Sequence, residues 1–145
     1  MTIDVLKDEN ELVRVSELWL ELIREFCPKY APNVEWWLLE CNVLFKMENF
    51  KVFVVRDDDE RIVGFCTVLV YNDPATGERI GAGREFYVMP EYRKTRMAYR
   101  LMKDSEGYAR KMGATLFEMY VVSDRMKFWF KRGYVPMRAI MLKEA

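Results

Sequence analysis

Histidine is missing altogether from the 145 residues. That excludes Ser-His-Asp and Cys-His catalysis, histidine metal ligation and zinc fingers of the Cys2His2 type. Cysteine is scarce: Cys27, Cys41 and Cys66 are odd in number and form no CxxC pair. They read as reduced, mostly buried thiols of a cytoplasmic protein, not as a disulfide framework. No base or helix N-terminus stands convincingly beside any of them to activate a thiolate. No stretch approaches the ~20 uncharged apolar residues of a membrane span, and Met1–Asn10 is acidic without an apolar signal core, so a soluble intracellular protein is expected. Net charge is also lacking, with 23 basic residues against 23 acidic, so no global field draws the chain to nucleic acid or to a membrane. Linkers rich in Pro, Gly and Ser, low-complexity tracts and repeats are absent too, which leaves a single domain over residues 1–145.

Apolar residues are plentiful at 51%, and 14% of the chain is aromatic, enough to build a sizeable core. The charges that cancel overall are unevenly placed. Residues 1–73 hold 8 basic and 15 acidic side chains, and residues 74–145 hold 15 and 8. A basic C-terminal half suggests an anionic ligand there; the plainer reading is two faces of one domain that attract each other.

The pattern along the chain predicts a mixed architecture. Ile3 and Val5 alternate as a short first strand. From Asn10, the residues Leu12, Val15, Leu18, Trp19, Leu22, Ile23 and Phe26 recur at helical spacing. Pro28 and Pro32 break that helix, and a second helical stretch runs from about Asn33 to Met47. Two strands, Lys51–Arg56 and Arg61–Tyr71, flank a charged turn at Asp57–Glu60. After the turn Asn72–Gly77 comes a strand to about Val88, ended by Pro90. Met97, Ala98, Leu101, Met102, Tyr108, Ala109 and Met112 stripe a long helix from about Thr95, with Gly113 as its C-cap glycine. Thr115–Val122 reads as a strand, Ser123–Arg132 as a short helix capped by Ser123 or Asp124, and Tyr134–Leu142 as a last strand. The order β-α-α-β-β-β-α-β-α-β implies an α/β (α+β) fold: a mixed, mostly antiparallel central sheet with helices on both faces.

The stretch Phe86-Tyr87-Val88-Met89-Pro90-Glu91-Tyr92-Arg93-Lys94-Thr95-Arg96-Met97-Ala98 resembles the acyl-CoA-binding segment of the GNAT superfamily of N-acyltransferases: a strand ending in Val-x-Pro, a loop of Arg/Gln-x-x-Gly-x-Gly/Ala type, then a long helix. The later Phe128-Trp129-Phe130-Lys131-Arg132-Gly133-Tyr134 is similar to the family's aromatic pair and Gly-Phe, so the resemblance covers nearly the whole chain. It implies acetyl-CoA as co-substrate, no metal, and a small-molecule or peptide amine as acceptor, with a homodimer left open. The implied cofactor contacts are Phe86, Tyr87, Val88, Arg93, Lys94, Thr95, Arg96, Met97, Ala98, Tyr99 and Trp129. The physics agrees: a loop entering a helix offers unpaired N–H groups and the positive end of the dipole, and Arg93, Lys94, Arg96 and Arg100 crowd it at a cost to the helix unless an anion binds. The plainer reading is a solvated basic face. Arg96 stands where the family usually has glycine, so its side chain must turn away or clamp a phosphate.

Acyl transfer to an amine needs a proton acceptor and a stabilised oxyanion. Without histidine, a carboxylate or ordered water must serve. Glu85 is the first candidate base, alternating with Tyr87 onto one face of the strand before Val-x-Pro; its plainer role is a salt bridge with an arginine such as Arg84. Glu118 in the next strand is the second. The family's proton-donating tyrosine falls on Trp129, which has no such proton to give, leaving Tyr134, Tyr120 or Tyr87, or a thiolate that departs unaided. Tyr30, Glu35, Trp36, Trp37 and Glu40 form an aromatic, acidic cluster suited to a cationic amine, although one of the adjacent tryptophans belongs in the core. Direct transfer is expected, since no activated nucleophile is evident. The rival readings are a non-catalytic fold that binds CoA or a protein partner, and a nucleic-acid module, which zero net charge and the lack of a known motif disfavour.

Overall fold

The structure, a computed structural model, describes residues 1–121, 125–138, 141 and 143. Strand β1 (Thr2–Val5) leads through a 3-10 turn into helix α1 (Leu12–Phe26), followed by α2 (Val34–Phe45). Strands β2 (Phe50–Arg56), β3 (Ile62–Asn72) and β4 (Arg79–Val88) follow, then α3 (Met97–Lys111), β5 (Leu116–Met119) and the short α4 (Met126–Phe130). The five strands lie in the sheet in chain order, antiparallel from β1 to β4, with β5 parallel to β4.

Both faces of the sheet are covered, which is why β2 and β3 read as continuous apolar runs. Phe50, Val52 and Val54 face α1 and α2 together with Phe65 and Tyr87, packing on Leu12, Val15, Leu18 and Trp37. The alternate residues Phe53, Val55, Cys66, Val68 and Val88 face α3 through Met97, Leu101 and Ala109. Local chemistry sets the boundaries. Asn33 caps α2 by accepting the Trp36 N–H at 3.0 Å, as short polar side chains do at a helix start. In the β2–β3 turn the Asp57 carboxylate accepts the N–H groups of Asp59 (2.9 Å) and Arg61 (3.0 Å). Gly113, at φ 90°, takes the left-handed conformation that ends α3.

Tyr134–Arg138, the described first part of the expected last strand, carries no strand pairing; Pro136 lies within it and offers no N–H to a ladder. Residues 139, 140 and 142 of that stretch lie outside the described residues, as do Ser123 and Asp124, the expected helix cap.

At Gly81 α3 lies close against the sheet: a Cβ there would collide with Ala109 Cβ and press on Phe117 at 3.0 Å. Gly81→Ala is therefore expected to lower stability by about 1–3 kcal/mol through overpacking, read as a drop in thermal midpoint; an unchanged midpoint would show that α3 can retreat at no cost.

Candidate active site

The register between β3 and β4 shifts at one point: Thr67 pairs with Glu85, yet Val68 pairs with Gly83. Arg84 is thus an extra residue, a β-bulge. Its consequence is that Arg84 and Glu85 both point to the α2 side, while Phe86 returns to the α3 side and Tyr87 to the α1 side. Helix α2 grips both. Trp37 Nε1 donates to Glu85 Oε1 at 3.0 Å, and Glu40, one turn later, accepts from Arg84 Nη2 at 2.8 Å. From below, the fully buried Thr67 donates its hydroxyl to Glu85 Oε2 and accepts the Glu85 N–H at 3.2 Å. Trp37 is itself fixed, 5% exposed and stacked on Trp19 at 5.4 Å between ring centres. Its neighbour Trp36 is 69% exposed, so of the tandem tryptophans one is core and one is surface.

Glu118 sits opposite Ala82, three positions before Glu85 and so roughly 10 Å back along the strand direction. Its neighbours Phe117 and Met119 pack toward α3, which turns Glu118 to the α2 side. There Tyr71 Oη donates to it at 3.2 Å, and Arg138 Nη2 does so at the same distance. The two candidate carboxylates therefore share a face.

Strands β4 and β5 part company at Gly83 and Met119, and beyond this point Arg84–Val88 have no β5 partner among the described residues. Aromatic rings fill the divergence. Trp129, 6% exposed, stands edge-on to Phe86 (5.1 Å), Phe128 (5.0 Å) and Tyr134 (5.1 Å). The Tyr134 hydroxyl donates to Glu106 at 2.7 Å; burial, and then that carboxylate, push its proton loss well above the ordinary tyrosine range. Tyr87 is likewise raised, by burial and then by Glu25. Tyr120 is exposed just past the end of β5.

The loop into α3 is ordered by Thr95, whose hydroxyl donates to the Tyr92 carbonyl (2.6 Å) and accepts the Met97 N–H (3.2 Å). Arg96, at φ −74°, is in ordinary backbone space with an exposed side chain, as is Lys94. Val88 and Met97 bury their side chains in the α3-side core, so only their backbone could meet a ligand. A cavity of about 400 Å³ opens here, lined by Arg93, Thr95, Arg96, Ala98 and Tyr99 on the loop side and by Phe128 and Arg132 from α4 and the turn after it. Three arginines and no carboxylate line it. Phe128 and Arg132 belong to the aromatic stretch Phe128–Tyr134 but were not among the expected cofactor contacts, and the grip of Trp37 and Thr67 on Glu85 had no local sequence signal.

Arg93 is not idle. It donates to the Val88 carbonyl at 2.7 Å and to both Glu25 oxygens at 2.6 Å, with its guanidinium over Phe26 and Tyr87. The hydrogen bond from Arg93, joined by the charges of Arg93 and Arg125, holds the Glu25 carboxyl below its usual value of 4.5. A depressed folded-state value means that the pair stabilises the protein above about pH 4.5 and that this contribution disappears as pH falls through the folded value. The wild-type thermal midpoint is thus expected to exceed that of Glu25→Gln at pH 7, with the gap shrinking as pH falls below about 4.5; a gap that does not narrow at all on acidification would contradict the pairing. On the far side of this bridge, a second cavity of about 440 Å³ is lined by Glu21, Arg24, Glu25, Tyr87, Pro90 and Glu91, among others.

Comparison with known proteins adds a family and a shared fold. The family model described as "Acetyltransferase (GNAT) family" matches residues 14–134. Among curated proteins, none matches the sequence. An acetyltransferase of Trypanosoma brucei superposes with a TM-score of 0.76 at 18% identity, covering 99% of each chain. An aminoglycoside acetyltransferase from an uncultured soil metagenomic sample, in complex with sisomicin, gives 0.74 at 15% identity, covering 99% of this chain and 95% of that one. An aminoglycoside 6'-N-acetyltransferase of Acinetobacter haemolyticus gives 0.73 at 17%, covering 100% and 98%. At these identities the likeness is one of fold.

Proposed function

Because the chain belongs to the acetyltransferase (GNAT) family, we propose that it transfers an acetyl group from acetyl-CoA directly to a primary amine of a small-molecule or peptide acceptor, with Glu85 accepting the amine proton. The observation that carries this reading is the hold on Glu85: a bulge aims it to the α2 side, and Trp37 and Thr67 fix its two oxygens. A carboxylate so fixed keeps further lone pairs for a proton from a third direction. Glu118, on the same face, is the second candidate base.

The residues present fit the co-substrate. Arg93, Arg96 and Arg132 converge on one cavity at the start of α3, where the helix dipole and unpaired N–H groups also favour an anion. Bound there, acetyl-CoA supplies the activated thioester. The edge of β4 left by β5 at Arg84–Val88 offers backbone groups to an extended ligand, beside Phe86 and Trp129. A cysteine relay is disfavoured: burial pushes the Cys41 and Cys66 thiols up to about 12 and raises Cys27 as well, which disfavours a thiolate near neutral pH. The acidic cavity beside α1, with Glu21 and Glu91, suits a cationic acceptor, and two structural neighbours are titled aminoglycoside acetyltransferases, so aminoglycosides belong among the first amines to try. No helix among the described residues is long and apolar enough to cross a membrane, in keeping with a cytoplasmic enzyme.

Calorimetric titration with acetyl-CoA, with desulfo-CoA as control, is expected to show micromolar binding. Thiol release on adding sisomicin, spermidine or a lysine peptide then reads turnover. Binding without turnover on any amine would favour the non-catalytic reading, for which the tryptophan at position 129 already speaks. Arg93→Glu is expected to weaken acetyl-CoA binding by roughly tenfold or more, because it removes a cation from the cavity and sets two carboxylates against each other at Glu25. Unchanged affinity would remove Arg93 from the site.

A further inference from the structure

We propose that the outward face of α2 is the contact surface of a two-fold symmetric homodimer, in which α2 packs antiparallel against α2 of a second copy of this chain. The inference does not depend on the acetyl-transfer reading. Helix α2 is apolar on both sides. Trp37 and Cys41 are buried in the core, yet Trp36, Leu39, Val43 and, just past the helix, Met47 are 69%, 58%, 61% and 42% exposed. Spaced three, four and four residues apart, they form one stripe along the helix. Helix α1 shows how a solvated face is built in this fold: its exposed positions include Glu17, Glu21 and Arg24. A contiguous apolar stripe marks a surface that another molecule covers, and no element among the described residues covers this one.

The charges beside the stripe point to the occupant. Glu35, in the first turn, and Lys46, at the C-cap, are separated by about three turns and so lie on the same flank. Both are exposed, and neither joins an ion pair among the described residues. When a two-fold axis relates antiparallel helices, the same flank of each helix meets, with its ends exchanged. With the axis midway between Leu39 and Val43, Leu39 rests on the partner's Val43, Trp36 comes against the partner's Met47, and Glu35 falls beside the partner's Lys46. Symmetry makes each of these contacts twice. A parallel pair would set this flank against the opposite one, which offers Glu35 no cation of α2. In the antiparallel pair the two Glu40 side chains approach each other, but each is already held by Arg84 of its own chain at 2.8 Å. A flank of one sign would suit a partner of the other sign; a flank carrying both signs at its two ends suits itself.

Sedimentation velocity of the whole protein tests this. A contact made by one helix falls at the low end of interface sizes, so a dissociation constant on the order of 10–100 µM is expected, and wild type that stays monomeric at about 500 µM overturns the proposal. Leu39→Glu sets charges into the apolar contact and is expected to weaken association by about thirtyfold or more. A dimer that ignores this change uses another surface, which also overturns the proposal. Should Leu39→Glu fail to fold, Val43→Glu makes the same test one turn on. Orientation is read by charge: Glu35→Lys and Lys46→Glu are each expected to weaken self-association by about tenfold at low salt. Mixing these two variants should restore association, because every cation on the flank then meets a carboxylate of the other variant. A mixture no tighter than its components would rule out the antiparallel pairing.

Discussion

Glu85→Gln is expected to lower the rate of amine acetylation by about 10²- to 10⁴-fold, the range that positioned proton transfer contributes, with acetyl-CoA affinity changed less than twofold. The two readouts separate because Glu85 faces α2 while the arginine-lined cavity lies at the α3 start. Glutamine is nearly isosteric at this position. Its carbonyl can still accept the Trp37 N–H, and its amide can donate to the Thr67 oxygen, which reverses the native bond and takes the acceptor from the buried Thr67 hydroxyl proton. What is lost is the ability to take a proton. The thermal midpoint should fall modestly, by what one buried hydroxyl without its acceptor costs, about 1–3 kcal/mol, and a much larger drop would mean that the charge, not the chemistry, had been the point. Thiol release from acetyl-CoA with a competent amine is the measurement. A rate retained within threefold would pass the role of base to Glu118 or to a water between the two carboxylates.

Trp129→Ala is expected to cost about 3–5 kcal/mol of stability, the usual toll for emptying a buried tryptophan site, and to lower the thermal midpoint by on the order of 10 °C. Trp129 is the common neighbour of Phe86, Phe128 and Tyr134, so it joins β4 and α4 where β5 no longer supports the sheet. Its loss also frees Phe128, the ring on which Arg132 is stacked, and acetyl-CoA binding should weaken with it. Trp129→Phe keeps an edge-on ring and should recover more than half of the loss. Circular dichroism melts of the three proteins decide the matter; a loss below 1 kcal/mol for alanine would mean that α4 merely rests on the sheet.

What the sequence made legible was what short-range periodicity encodes. The stripe from Met97 to Met112 defined α3 to within two residues, Asn33 marked the start of α2, and the run Asp57–Glu60 became the β2–β3 turn. The loop motif before α3 likewise reads locally. The partnerships that make a site out of these pieces span far longer separations: Trp37 with Glu85 across 48 residues, Glu25 with Arg93 across 68. No repeat in the chain announces them, since each depends on how two elements settle on the sheet. The bulge at Arg84 left only a faint trace, glycines at 81 and 83 inside a strand, which mark either irregular pairing or a close neighbour; here both apply. Charge asymmetry hinted at mutual attraction between the halves, and Glu25–Arg93, Glu40–Arg84 and Glu25–Arg125 are such contacts. The same arginine can thus serve as a strut and line a ligand cavity, two roles that residue type alone does not separate.

That the strands lie side by side in the order in which they occur along the chain bears on how the protein is made. Each strand from β2 onward can pair with its predecessor as soon as it leaves the ribosome, since no later segment must be inserted between them. The β2–β3–β4 meander closes through short turns, so its loop-closure entropy is small. Only β1 must wait, held off by the intervening pair of helices until β2 appears. The arginine-lined cavity needs α4 and Arg132, so binding competence should emerge only after Arg132 has been synthesised, long after the Glu85 carboxylate has found Trp37 and Thr67.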